Sequence, residues 1–192
     1  KAGVRTIDVI RQEDAWGKSM SLRLNGYDVF CKGSNWIPID NFPDRRSRDE
    51  YASLVGDAAE VGMNMLRVWG GGLYERQDFY DACDSLGVLV WQDMAFACGM
   101  FPSDERYLKS VTAEVRDNVR RLRNHPSLAL WCGNNENEIS YFEWGWNRTL
   151  TQDQREHYES GLRRLFYETV PEAIAEEDDT RYYHPSSPST GH

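Results

Sequence analysis

An alternation of apolar segments with segments of helical period, starting near residue 30, most constrains the fold. Apolar runs predict four strands, at residues 30–35, 64–69, 88–93 and 128–132. Between them, apolar side chains recur every three or four residues and predict helices at 48–61, 75–86 and 104–123. Near-continuous apolar runs are typical of parallel strands covered on both faces. The repeat therefore predicts an α/β fold, either half of a (β/α)₈ barrel or a doubly wound sheet.

Turn and cap residues mark the ends of the predicted helices. Gly62 and Gly87 follow two of the helices, Pro126 follows the third, and Ser103 is the expected N-cap of that third helix. Further along, we expect a helix at 153–170, a short acidic helix after Pro171, a fifth strand at 181–183 and a loop at 184–192.

Residues 1–30 have a different pattern, which is typical of β structure. Apolar and polar residues alternate over 4–9, and short apolar stretches flank Asn25-Gly26, a strong hairpin signal. We expect this segment to be the end of a preceding β domain or an entry hairpin, and residues 31–192 to form the α/β domain.

Polar and aromatic residues follow the strands at one end only. The residues in question are Asn35, Arg67, Trp69, Asp93, Asn135 and Glu136. Because sites in parallel α/β folds form at the C-terminal ends of strands, we expect these side chains to share one pocket. Amides, charges and indoles together suit a neutral polyhydroxy ligand.

Glu136 is the carboxylate with the most suggestive placement. A carboxyl buried among aromatic side chains can hold a proton near neutral pH and donate it, and Asn135 beside it can bind a sugar hydroxyl. The alternative is a carboxylate that stabilises a helix N-terminus, and spacing supports both equally. We expect Glu138 to be supporting or solvent-facing.

Other residues have plainer interpretations. Glu75 and Asp93 are candidates for ion pairs or hydrogen bonds with Arg67. Core packing is the alternative role for Trp69 and Trp144, although their predicted loop positions favour a sugar platform. The glycines at 70–72 lack the spacing of a phosphate-binding loop, and we expect them to let the chain turn beside Trp69.

Composition excludes some partners. With 22 Lys and Arg against 31 Asp and Glu, the net charge is −9, which argues against nucleic acid and anionic membranes. The four cysteines are widely spaced and the four histidines follow no ligand pattern, with His125 expected in a turn, so we expect free thiols and neither a metal nor another cofactor. Asn147-Arg148-Thr149 fits a glycosylation sequon, a weak signal. The sequence indicates neither a compartment nor an oligomeric state.

Four segments, taken together, resemble the β-mannosidases of glycoside hydrolase family two. The segments are residues 30–38, 64–72, 87–93 and 125–136, and they contain Trp-Gly-Gly-Gly at 69–72 and Trp-Cys-Gly-Asn-Asn-Glu at 131–136. The resemblance runs in order from about residue 20 to about 145, and these two strings are specific to the mannosidase branch.

The resemblance implies a retaining exo-enzyme that removes terminal β-mannose, on a (β/α)₈ barrel that follows β-sandwich domains. Glu136 matches the family's acid/base, Asn135 the residue that binds the sugar 2-hydroxyl, and Trp69 and Trp144 the aromatic lining. The family's nucleophile is a Glu on a later strand, and nothing after Glu138 matches it. We therefore expect this chain to hold the first four or five barrel strands and to be inactive alone, with unpaired strand edges.

Two alternatives stay open. One is a carbohydrate-binding module with the same aromatic walls. The other is a related hydrolase acting on β-glucosaminides, β-glucuronides or β-galactosides.

Overall fold

A computed structural model describes residues 3–189 of the chain. It contains ten strands: β1 (Ile7–Ile10), β2 (Glu13–Asp14), β3 (Gly17–Lys18), β4 (Ser21–Leu24), β5 (Tyr27–Val29), β6 (Gly33–Trp36), β7 (Met65–Val68), β8 (Leu89–Asp93), β9 (Leu128–Cys132) and β10 (Tyr183–His184). Its α-helices are α1 (Arg48–Glu60), α2 (Gln77–Leu86), α3 (Glu105–Leu122), α4 (Asn137–Phe142), α5 (Gln152–Arg163) and α6 (Val170–Ala175). Short 3₁₀ turns occupy Pro43–Arg45 and Trp146–Thr149.

The larger sheet is five-stranded and parallel, with the order β10-β9-β8-β7-β6. Neighbouring strands therefore follow the chain order, without the switch point that defines a doubly wound sheet. Among the described residues, β6 and β10 are its two edges. The predicted class, helices alternating with parallel strands, is confirmed.

The two faces of this sheet are covered differently. Leu66, Val68 and Val90 point to the helices and join the main core, which includes Tyr51, Phe79 and other buried side chains of α1 to α3. On the opposite face, Met65 and Leu89 belong to a second hydrophobic cluster that also contains Leu22 of the N-terminal sheet. Strand β9 is buried along its whole length, as its apolar run predicts, whereas the first three residues of β6 are exposed because that strand lies at an edge.

The N-terminal residues form a separate antiparallel sheet, β1-β4-β5. The predicted hairpin is confirmed: Leu24 pairs with Tyr27, and Asn25 and Gly26 have φ of 51° and 84°, the left-handed values of a tight hairpin turn. Arg5 donates to the backbone carbonyls of Pro126 and Leu128, which ties this sheet to the start of β9.

Helix ends mostly follow the predictions. Gly87 ends α2 at a φ of 71°, as predicted. Ser47, which the sequence analysis did not name, caps α1 in a capping box with Glu50. The prediction of Ser103 as N-cap of α3 is wrong, because the carboxylate of Asp104 accepts from the backbone of Arg106 and Tyr107 instead.

The predicted break at Pro171 is also wrong. A π-helical segment, Arg164–Thr169, joins α5 to α6 without interruption. Pro171 has no N–H to donate to the carbonyl four residues earlier, and a wider π turn accommodates that loss. The helical layer thus continues to Ala175.

The fifth strand is confirmed but shifted by a residue or two. It comprises Tyr183–His184, so His184 lies in the sheet and not in the predicted loop. Residues 1–2 and 190–192, at the outer ends of the two predicted domains, lie outside the described residues. None of the helices in the described part of the chain has the length and apolar character needed to cross a bilayer.

Candidate active site

An arginine–aspartate pair organises the C-terminal edge of the parallel sheet. Arg67 at the end of β7 donates through Nε and Nη2 to both oxygens of Asp93 at the end of β8, at 3.2 and 2.8 Å. The Asp93 carboxylate also accepts from the Gly70 backbone N–H and the Trp91 indole. Burial raises the pKa of Asp93, and Arg67 opposes that rise. The predicted interaction between Arg67 and Asp93 is therefore present.

Asn135 continues this network from β9. Its Oδ1 accepts from Arg67 Nη2 at 3.0 Å, and the side chain is almost fully buried. Its backbone forms isolated bridges to Ala97 and Ser187, in the loops after β8 and β10. The Arg67 guanidinium thus connects three consecutive strand ends, because it donates to both Asp93 and Asn135.

Glu136 has a left-handed backbone, with φ of 67°, and is the N-cap of α4. Its side chain makes no capping hydrogen bond with that helix, and Asn134 Oδ1 accepts from the Asn137 N–H instead. The Glu136 carboxylate is half-buried and accepts from Cys98 Sγ, which is 3.1 Å from Oε2. The helix-capping interpretation thus describes Asn134 better than Glu136.

Cys98 is the residue at this edge that the sequence pattern did not reveal. It lies in the loop after β8, has a φ of 47°, and contacts Glu136 and Asn135 through the same sulfur. A cysteine in a loop of irregular pattern gives no periodic signal, so the sequence offered no sign of this contact.

Trp69 is half-buried and lies against Gly71. A Cβ on Gly71 would be 2.0 Å from the Trp69 ring, and one on Gly70 would be 2.6 Å from two backbone carbonyl oxygens. The predicted role of the glycines, a close turn beside Trp69, agrees with this geometry.

We expect Gly71→Ala to displace the Trp69 indole, because an added methyl cannot occupy the space of the ring. The measurement is tryptophan fluorescence and near-ultraviolet circular dichroism, where we expect a clear change in the indole signal. Gly56→Ala is the matched control: a Cβ there meets nothing within 4 Å in α1, and we expect a gain of about 0.5–1 kcal/mol in stability with unchanged spectra. Unchanged spectra for Gly71→Ala would contradict the arrangement.

Two predicted site residues lie outside this hydrogen-bond network. Asn35, beside Arg67 in the register, is exposed, and its side chain makes no hydrogen bond within the described residues. Trp144 follows α4 with 53% of its surface exposed and has no ring contact with another aromatic residue between 3 and 189. The structure therefore brings Arg67, Asp93, Asn135 and Glu136 into one network and leaves these two outside it.

The expected pairing of Glu75 with Arg67 is wrong. Glu75 is buried two residues before α2 and accepts from the Trp36 indole and the Tyr51 hydroxyl, on the helix side of the sheet. Arg67 points to the other face. Glu138, which we expected to be supporting or solvent-facing, is buried and accepts from the Tyr167 hydroxyl.

His184 is buried beside Trp91, with ring centroids 5.7 Å apart. Burial, and then the charges of Arg11 and Arg67, lower its pKa to about 4. The ordinary pKa of a histidine is 6.5. Between pH 6.5 and about pH 4, His184 is therefore protonated in the unfolded chain but neutral in the folded chain. Stability from neutral His184 is thus present above pH 6.5 and lost as the pH falls towards 4.

We expect His184→Phe, which keeps a ring but cannot be protonated, to flatten this acid dependence. The measurement is the melting temperature at pH 4.5 and 7.5, where roughly 2–4 °C corresponds to each kcal/mol. The exposed His157, changed to Gln, is the control and should leave the dependence as in the original protein. An equally steep dependence in both variants would contradict the assignment.

A second polar cluster lies at the opposite end of the sheet. Asp81, Asp84 and His125 present potential ligand atoms within 4.8 Å of one another. His125 Nδ1 bonds Asp84 and its Nε2 faces Gln77, each at 2.6 Å, so these groups satisfy one another. The predicted turn position of His125 is confirmed. The hydrogen bonds of the cluster connect α2 to the turn that precedes β9.

Comparison with known proteins gives consistent matches, although no protein-family model matches the sequence. A β-mannosidase B from Aspergillus clavatus is 44% identical over 98% of this chain, and a β-mannosidase from Capra hircus is 40% identical over all of it. The chain spans 23% and 22% of the lengths of these relatives. A β-D-mannosidase structure from Dictyoglomus thermophilum matches 97% of the chain, and 22% of its own, with a TM-score of 0.87 and 43% identity.

More distant structures share the fold alone. β-Glucuronidase 3 from Bacteroides uniformis has a TM-score of 0.70 at 20% identity, covering 95% of this chain and 21% of its own. An exo-chitosanase from Amycolatopsis orientalis has 0.69 at 21%, covering 97% and 20%. The fold of this chain is thus shared with structures of a β-mannosidase, a β-glucuronidase and an exo-chitosanase. More particularly, the chain is homologous to one segment of the β-mannosidases.

Proposed function

We propose that this chain is the first part of the catalytic (β/α)₈ barrel of a retaining exo-β-mannosidase, with Glu136 as general acid/base. The observation that carries the proposal is the Glu136 carboxylate, which does not cap α4 and stands at the C-terminal edge of the sheet beside the Asn135–Arg67–Asp93 network. The similarity to β-mannosidases supports β-mannose as the sugar that is removed.

The barrel is supported by strand order. Five parallel strands follow one another in the sheet in chain order, with helices between successive strands of β6 to β10. That is the order of a (β/α)₈ barrel, whose remaining strands would pair with the edges β6 and β10. We propose that residues 31–192 belong to this barrel and that residues 1–30 end a preceding β-sandwich.

The chemistry needs two carboxylic groups. Glu136, protonated, gives its proton to the glycosidic oxygen while a carboxylate attacks the anomeric carbon, so that the aglycone leaves as an alcohol. The ionised Glu136 then takes a proton from water, and that water releases mannose from the glycosyl-enzyme. Asn135 would bind the 2-hydroxyl, with Trp69 and Trp144 as aromatic walls and Asn35 as a further polar group.

We propose that the nucleophile is a Glu on a later strand. Among residues 3–189, Asp93 and Glu138 also lie at this end of the sheet, but both are buried and already accept hydrogen bonds, Asp93 from Arg67 and Glu138 from Tyr167. Neither is presented for attack on a sugar carbon. We propose no cofactor, because two carboxylic groups suffice for this reaction.

The test is turnover by the full-length protein of a panel of 4-nitrophenyl β-glycosides. We expect hydrolysis of the β-D-mannoside, with the first-formed mannose in the β configuration by proton NMR. Preferential turnover of a β-glucuronide, β-glucosaminide or β-galactoside would reject the mannosidase assignment. Binding of mannosides without any turnover would favour the carbohydrate-binding alternative.

A further inference from the structure

The loop after β8 is paired with the end of β9 through backbone hydrogen bonds around Cys98. The Cys98 N–H donates to the Asn135 carbonyl at 3.0 Å, and the Asn135 N–H donates to the Phe96 carbonyl at 2.9 Å. Apart from Asn25 in the N-terminal hairpin turn, Cys98 and Glu136 are the non-glycine residues with positive φ between residues 3 and 189. Such backbone strain tends to concentrate where a side chain must be presented in one direction.

The direction of the hydrogen bonds at the sulfur follows from its neighbours. A guanidinium only donates, so Arg67 fixes Oδ1 of Asn135 as the atom that faces it. Nδ2 of Asn135 is then the atom 3.4 Å from Cys98 Sγ, where it donates. The thiol hydrogen is left to point at Oε2 of Glu136, 3.1 Å away.

We propose that Cys98 is a positioning residue for Glu136. The Cys98 thiol donates to Oε2 of Glu136 and leaves Oε1 of the same carboxylate to face the glycosidic oxygen. The inference rests on the proposed function. A directional chain, Arg67 to Asn135 to Cys98 to Glu136, thereby couples the acid/base to the buried Asp93. Burial, and then the hydrogen bond with Glu136, raise the pKa of the Cys98 thiol, so the sulfur keeps its proton at neutral pH.

The experiment compares Cys98→Ala and Cys98→Ser in the full-length protein on two mannosides. A 4-nitrophenyl leaving group needs more acid assistance than a 2,4-dinitrophenyl group. We expect Cys98→Ala to lower kcat/KM roughly tenfold on the first substrate, the effect of one hydrogen bond to a charged group, and clearly less on the second. Cys98→Ser, whose hydroxyl also donates, should restore most of the rate.

The pH profile gives a readout that general structural damage would not produce. Because the thiol donates to Oε2 of Glu136, its removal changes the hydrogen bonding of the acid/base, so the pH profile of kcat/KM should change in Cys98→Ala and return to the original in Cys98→Ser. The control is Cys31→Ala, a half-buried thiol two residues before β6, which we expect to retain the original rates and profile.

The outcomes separate the two proposals. A wild-type protein without β-mannosidase activity overturns the proposed function and the role of Cys98 with it. An active wild type whose Cys98→Ala variant keeps its rate overturns the positioning role alone. Equal losses on both substrates with an unchanged pH profile also overturn it, because they indicate a thiol that only fills space.

Discussion

Replacing Glu136 by Gln in the full-length protein is expected to lower kcat on 4-nitrophenyl β-D-mannoside by about 10²–10⁴-fold, the usual contribution of a positioned general acid or base. The amide has the same shape, but it can neither protonate the leaving oxygen nor accept a proton from water. The substitution leaves Asn134 capping α4, so the fold should persist. The measurement is steady-state turnover, together with circular dichroism of the variant.

Two further results would identify the lost function as acid/base chemistry. A 2,4-dinitrophenyl leaving group departs without protonation, so the first step should survive and glycosyl-enzyme should accumulate. Azide needs no general base, so it should release that intermediate and restore turnover. Glu143→Gln, an exposed carboxylate at the other end of α4, is the matched control and should retain full activity. A Glu136→Gln rate within a few-fold of wild type would exclude the proposed role.

Most of the framework was predictable because it depends on local signals. The helices α1 and α3 and the strand β9 follow from apolar period, and Gly87 and Asn25-Gly26 follow from backbone conformations that few residues tolerate. Strand order was not predictable from period: a half barrel and a doubly wound sheet have the same repeat. In the described residues the sheet keeps chain order, which supports the proposed half barrel.

The site was predictable at the level of one sheet edge. Parallel strands end together, so Arg67, Asp93 and Asn135 were expected to meet, and they share hydrogen bonds. The predicted pairing of Glu75 with Arg67 was wrong because residue spacing does not reveal on which side of the sheet a loop residue lies. Cys98 was missed for a similar reason: its contact with Glu136 requires two loops, 38 residues apart in sequence, to pair.

The second large effect is expected at Arg67, and it concerns stability. Arg67→Met keeps the length of the side chain but leaves the Asp93 carboxylate, with no exposed side-chain surface, without its guanidinium. Removing one partner of a buried pair costs about 3–5 kcal/mol. We expect a large fall in melting temperature, with Arg67→Lys intermediate because an ammonium cannot form the two-pronged contact.

The loss should also depend on pH and on Asp93. Burial already raises the pKa of Asp93, and without Arg67 it rises further, so the folded state favours protonated Asp93. Stability held by that proton is present at low pH and lost as the pH rises through the raised pKa, so Arg67→Met should be more damaging at pH 8 than at pH 5.

Adding Asp93→Asn removes the buried charge and should recover part of the loss, which a double-mutant cycle measures as coupling. Arg163→Met, which breaks an exposed pair with Glu168, is the control and should change the melting temperature far less. Additive effects of Arg67→Met and Asp93→Asn, with no dependence on pH, would show that the pair does not hold this edge of the sheet together.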